Sequence, residues 1–187
     1  EEGLEQSFAL LLLSPWQLTR NLLPLLADHE RKCRVINVVS GGMYTEQLAC
    51  NRLIMGADDY QGARAYARAK RALTVVTELW VEAWADRNIA VNAMHPGWSD
   101  TPGVQKSLPG FRFATQSVLR DHAEGADTIV WLARSRQGDD LSGKLFLDRE
   151  PRSTYLLGNH VEPDEERDKL EDFLRQHYES VMARNAG

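Results

Sequence analysis

The chain has 187 residues, enough for one domain with a real core. Its hydrophobic fraction is 43%, its charged fraction 26% and its net charge −5, ordinary values for a soluble globular protein that leave no basic footprint for nucleic acid. The longest apolar run, residues 8–15, is too short to span a bilayer and lacks the basic flank of a signal peptide. From the start of the chain, Glu2–Asp28 reads as one long helix. Leu4, Phe8, Leu11, Leu12, Leu18, Leu22, Leu23 and Leu26 recur near a 3.6 period on more than one face. Pro15 is expected to kink or tighten it, and Pro24 falls in its last turns.

Val35–Val39 is a β-branched run, the pattern of a strand buried on both faces, and it opens into a loop at Ser40–Gly41–Gly42. Thr45–Tyr60 shows no period. Gly62–Asp86 is the second strong helix, with Ala65, Ala69, Leu73, Val76, Trp80 and Trp84 at helical spacing. Ile89–Met94 reads as another buried strand, stopped by His95–Pro96–Gly97. Asp121–Ser135 reads as a helix with Asp121 as cap and Glu124 three residues on, close to a capping box. Gly143–Leu147 is a short strand. Pro163–Arg184 is a last helix, with Pro at its first position, acids in its first turn and an apolar stripe through Leu170, Phe173, Leu174, His177 and Val181. The alternation of helices with buried strands argues an α/β fold, a parallel sheet covered by helices in a single domain over 1–187.

Chemistry concentrates after the strands, where open α/β sheets bind ligands. Tyr66 and Lys70, in the stretch YARAK, stand four residues apart and so share one helix face. A nearby ammonium stabilises a phenolate, which suits a Tyr to proton transfer. Tyr and Lys are also ordinary helix-surface residues, so the spacing alone is weak. Ser40 at one strand end and the Pro96–Gly97 turn at the next can converge with the pair on one cleft. Val104–Phe113, with Leu108, Phe111 and Phe113, suggests an apolar substrate, and Trp98 is a candidate substrate contact. His95 reads as a turn residue, Asn37 and Asn92 as polar strand residues, His177 as packing, and Trp80, Trp84 and Trp131 as core or subunit contacts. Cys33 and Cys50 lack metal-ligand spacing; reduced thiols, no metal and a cytoplasmic location are expected.

Six stretches in order, GLEQSFA, RVINVVSGGM, YARAK, MHPGWSDTPGV, GADTIVWLA and SGKLFLDR, resemble the short-chain dehydrogenases/reductases over about residues 2–149. YxxxK alone is common; the six in register are specific, and HPGWSDTPG is the most distinctive. The resemblance implies the C-terminal portion of a doubly wound, Rossmann-like fold, with the family core over 1–150 followed by the helix 163–184. It also implies an NAD(P)-dependent oxidoreductase that interconverts an alcohol and a carbonyl, with NAD or NADP as cofactor. By the same likeness Ser40 would hydrogen-bond the substrate oxygen, Tyr66 would move the proton, and Lys70 would hold the nicotinamide ribose and favour the ionised Tyr. Pro96, Gly97 and Thr101 would line the nicotinamide, and a homo-oligomer would form through the two long helices. Two departures accompany it. Where the family carries an Asn in the helix before the Ser strand, this chain has Leu11. Its 187 residues also contain nothing like the Gly-rich turn that seats the pyrophosphate, as expected for a chain lacking the cofactor-binding half. The competing expectation is a family-derived, non-catalytic interaction module.

Overall fold

The structure, a computed structural model, describes residues 3–98, 119–156 and 161–185. Helical backbone runs unbroken through α1 (Gln6–Phe8), a π-helical segment (Ala9–Leu13) and α2 (Ser14–Ala27). Glu5 caps it by accepting from the backbone N–H groups of Ser7 and Phe8, at 2.7 and 2.8 Å. The disturbance at Pro15 is a widened π segment rather than a tightening. Pro15 has no N–H to offer the Leu11 carbonyl, and the preceding turn widens so that Ser14 N–H reaches back to Ala9 O.

A four-stranded sheet follows in the order β1 (Cys33–Val38), β2 (Ile89–Met94), β3 (Leu145–Leu147), β4 (Glu150–Arg152). The first three are parallel, and β4 returns antiparallel to β3 through a two-residue turn. Residues 89–94 form the strand the sequence predicts, and β2 is buried at every position. β1 departs from expectation. Ile36 is half-buried and Val38 exposed, because among the described residues β1 has one strand neighbour and stands at the sheet edge. Neither β4 nor the short helix α5 (Gln137–Asp140) is anticipated. Thr45–Tyr60 is also less irregular than expected, since 3₁₀ turns close at Gly41–Thr45 and Cys50–Arg52.

Side chains alternate across the sheet and divide the core. Val35, Val91, Ala93 and Leu145 face the first long helix and α3 (Gly62–Ala83), where Leu12 of the π segment, Trp16 of α2 and Ala72, Val76 and Trp80 of α3 complete the larger cluster. Ile36, Met94 and Phe146 face the other way, onto Leu132 and Trp131 of α4 (His122–Arg134). There the Trp131 and Phe146 rings meet edge to face at 5.6 Å. The predicted capping box is present. Asp121 accepts from Glu124 N–H at 2.8 Å and Glu124 accepts from Asp121 N–H at 2.9 Å. α3 stops at Ala83 rather than Asp86, with Trp84 as its cap stacked on Trp80 at 4.9 Å.

The last helix, α6 (Asp164–Asn185), lies across the long helices. Its Leu170 and Leu174 are fully buried, and its Phe173 and His177 rings pack on Phe8. Glu171 accepts from the indole N–H groups of both Trp16 on α2 and Trp80 on α3, at 2.9 and 3.0 Å. One carboxylate thus pins two helices to a third. Part of the apolar surface of α2 and α3, at Trp16 and Trp80, is covered by α6 of the same chain. Leu18, Leu22 and Leu25 of α2 stay exposed. No helix among the described residues is long and apolar enough to cross a membrane.

Candidate active site

β1 hands the chain to the site at its carboxyl end. Val39 N–H still bonds Met94 O at 2.8 Å, so the ladder holds up to Ser40. Ser40 is extended and caps the 3₁₀ turn behind it, accepting on Oγ from Gly42 N–H at 3.3 Å. Gly42 lies between Ser40 and Tyr66: a methyl there would stand 3.8 Å from Ser40 Oγ and 4.0 Å from Tyr66 Cδ1. The hydroxyl and the phenol ring therefore flank one backbone position.

Tyr66 and Lys70 sit in the first turns of α3. Ala65, Ala67 and Ala69 around them are buried, and these small side chains let the helix lie close on the sheet. Tyr66 itself is 38% exposed. The Lys70 Nζ donates to Val38 O at 2.8 Å and stands 5.9 Å from the centre of the Tyr66 ring. Burial pushes the Lys70 ammonium below its ordinary value. Leu11, at the position where the resembled family has Asn, is half-buried in the π segment and packs on the core.

The second wall comes from the end of β2. His95 N–H bonds Phe146 O at 2.9 Å, after which His95–Pro96–Gly97 turns away. The His95 Nδ1 accepts from Gly97 N–H at 3.1 Å, which leaves the proton of the neutral ring on Nε2. Nε2 would be 2.9 Å from a methyl on Gly41, so the two strand-end turns touch. Burial, then the Arg120 guanidinium, push the His95 imidazole below its ordinary value, against an opposing effect of Asp148. His95 is a neutral bridge between turns, as its sequence reading as a turn residue expects.

The structure thus brings Ser40, Tyr66, Lys70, Pro96 and Gly97 to one end of the sheet. Trp98 is exposed beside them, and its carbonyl accepts from Arg120 N–H at 2.8 Å. Thr101, Leu108, Phe111 and Phe113 lie outside the described residues. Chemically the group offers a hydroxyl to hold an oxygen, a phenol to move a proton and an ammonium beside it. A depression of about 740 Å³ opens elsewhere, at Arg31, Arg34 and Asp139 below the β1 edge, and none of the residues named for chemistry lines it. Among the described residues no cluster of acids, His and Cys could hold a metal. Both cysteines are free thiols; burial, with Glu166 alongside, pushes Cys50 up to about 12, which makes it unreactive.

Sequence reasoning passes over Arg120, Asp148, Arg71 and Glu162. The last two form an ion pair buried behind the site, with Arg71 next to Lys70 in the chain. Their separation of 91 residues leaves no local pattern to read.

Comparison with known proteins gives a consistent result. A family model described as short chain dehydrogenase matches residues 1–110. The human protein "Dehydrogenase/reductase SDR family member 12" is 41% identical over 178 residues, which is 94% of this chain and 55% of that protein. The chain spans about half the length of the curated relatives it matches. Among solved structures, an uncharacterised protein from Mycobacterium paratuberculosis superposes with a TM-score of 0.66 at 19% identity, over 94% of this chain and 59% of that one. A 3-ketoacyl-(acyl-carrier-protein) reductase from Brucella melitensis, solved with NADH, gives 0.54 at 19% identity, over 70% and 50%. At these identities the structures speak for the fold.

Proposed function

Because this chain belongs to the short-chain dehydrogenase family, we propose that it is the catalytic part of an NAD(P)-dependent oxidoreductase interconverting an alcohol and a carbonyl on an apolar small molecule. The observation that carries the reading is the convergence of Ser40, Tyr66 and Lys70 around the end of β1. Ser40 holds the substrate oxygen, and Tyr66 gives or takes its proton. Lys70, seated on the Val38 carbonyl, presents its remaining N–H donors toward the ribose and its charge toward the phenol. Pro96 and Gly97 line the nicotinamide, with Thr101 near its carboxamide and Trp98, Leu108 and Phe111 toward the substrate. The residues present fit the nicotinamide end of the cofactor: the half-buried Lys70 ammonium is held at the cleft on the Val38 carbonyl, and the turn after β2 meets the turn after Ser40 where His95 touches Gly41. When bound, NAD or NADP supplies or accepts the hydride.

Calorimetry with NAD, NADH, NADP and NADPH tests the reading on two samples. The full-length protein is expected to bind one of the pairs and to turn over an apolar alcohol or ketone. Residues 1–187 alone are expected to show no measurable binding, because no Gly-rich turn for the pyrophosphate occurs among them. A micromolar dissociation constant for residues 1–187 would place the cofactor on contacts other than these. A full-length protein that binds none of the four would instead be the non-catalytic module that Leu11 fits.

Self-association belongs to the same proposal. With α6 lying across α2 and α3, a pair of subunits would meet through Leu18, Leu22 and Leu25 of α2. Light scattering of the full-length protein is expected to show a dimer at micromolar concentration. A monomer there would exclude it.

A further inference from the structure

The Pro96–Gly97 turn lies outside the regular ladder, and one side chain does much to fix it. Arg120 donates its backbone N–H to Trp98 O at 2.8 Å, and its Nη1 approaches Pro96 O at 3.5 Å. Its guanidinium lies flat on Gly97: a methyl there would stand 2.6–2.7 Å from Cζ, Nε and Nη1. Gly97 has φ +76, so it is needed for its backbone conformation and for this approach.

Arg120 is held in turn by a fork-to-fork pair with Asp148, Nη1 to Oδ1 at 2.6 Å and Nη2 to Oδ2 at 2.8 Å. Asp148 and Arg149 are the two residues joining β3 to β4, across the Leu147–Glu150 pair. Both have positive φ, 57 and 59, the requirement of a tight hairpin turn that Asn-Gly or Asp-Gly usually meets. Non-glycine residues there are strained. Each has a guanidinium–carboxylate contact, Asp148 with Arg120 and Arg149 with Asp127 on α4. The bland reading is two surface ion pairs of little worth, since Asp148 is half-exposed. The bidentate geometry and the seat of Arg120 on Gly97 speak for more.

We propose that Arg120, fixed by Asp148, is a positioning residue that sets the Pro96–Gly97 turn and thereby the seat of the nicotinamide end of the cofactor. The inference rests on the oxidoreductase reading for its consequence in catalysis, and on geometry alone for its effect on the turn. Asp148→Asn is the clean variant. Asn accepts positive φ as readily as Asp, so the hairpin turn survives while the charged fork is lost. Arg149→Gln is the matched control, because it removes the companion pair, with Asp127 on α4, from the same hairpin.

Two measurements on the full-length protein decide it. Hydrogen exchange should show the Gly97 amide, which donates to His95 Nδ1, exchanging about tenfold faster in Asp148→Asn and in Arg120→Gln, and at the parent rate in Arg149→Gln. Steady-state kinetics should show KM for the cofactor rising about tenfold in the first two variants, with kcat within about twofold, the pattern of lost uniform binding. Equal behaviour of Asp148→Asn and Arg149→Gln, or an unchanged Gly97 exchange rate, would overturn the proposal. If the full-length parent binds no nicotinamide cofactor, the oxidoreductase reading falls, and the exchange comparison still decides whether Arg120 sets the turn.

Discussion

Tyr66→Phe in the full-length protein is expected to lower turnover about 10²–10⁴-fold, the usual worth of a positioned proton donor, while cofactor affinity stays within about twofold. The structure makes this a clean substitution. The Tyr66 ring packs beside Gly42 and the residue is over a third exposed, so removing the hydroxyl opens no cavity and leaves the α3 helix intact. Lys70→Ala is expected to differ in kind. Its ammonium is half-buried and donates to the Val38 carbonyl, beside the turn that carries Ser40. Truncation removes the donor from that carbonyl, the charge from the phenol and the proposed contact with the ribose, so turnover and cofactor affinity fall together. Steady-state kinetics and calorimetry on both variants separate the cases. Wild-type turnover in Tyr66→Phe would remove Tyr66 from the mechanism, whatever Lys70→Ala does.

How much of this was legible from the sequence depended on how local the cause was. The capping box of α4 involves residues three apart, and Asp121 and Glu124 announce it. The largely apolar run Ile89–Met94 and its Pro-Gly stop give the ends of β2, because a central strand is buried along its whole length and its neighbours do not change the pattern. β1 carries a β-branched run, yet Val38 is exposed: composition reports what a strand can bury, and sheet position decides what it does bury. The β3–β4 hairpin escaped because its turn is Asp148–Arg149, where a sequence reader looks for Gly or Asn. Pro151 inside β4 also argues against a strand, and is tolerated at a sheet edge. At the site, Tyr66 and Lys70 were readable because a helix fixes their relation. Arg120 against Gly97 joins residues brought together only by tertiary folding.

The largest stability effect is expected behind the site, at the Arg71–Glu162 pair. Their side chains are 3% and 0% exposed. Glu162 accepts from Arg71 Nε on one oxygen and from Leu48 N–H at 2.9 Å on the other. The Arg71 Nη1 donates to Thr154 O at 2.6 Å and its guanidinium stacks over Tyr155 at 4.4 Å, while its Nη2 is buried without a partner among the described residues. The pair therefore fastens the segment that follows β4 to α3 and to the chain beyond Ser40. Glu162→Ala strands a guanidinium in a dry site and leaves Leu48 N–H unpaired, a loss of about 3–5 kcal/mol. For a chain of this size that is roughly 6–20 °C in Tm. Removing both charges in Arg71→Met/Glu162→Leu should recover much of the loss, since well-packed apolar residues often replace a buried ion pair without cost. Recovery stays incomplete, because Leu48 N–H still lacks its acceptor and an unmet buried donor costs about 1–3 kcal/mol. Urea unfolding of Glu162→Leu, Arg71→Met and the double variant measures the coupling directly, with Glu162→Ala alongside. A loss below about 1 kcal/mol in Glu162→Ala would mean that water reaches Arg71, and that the segment after β4 is held by Glu166 and Glu171 instead, through Cys50 N–H and the two indoles.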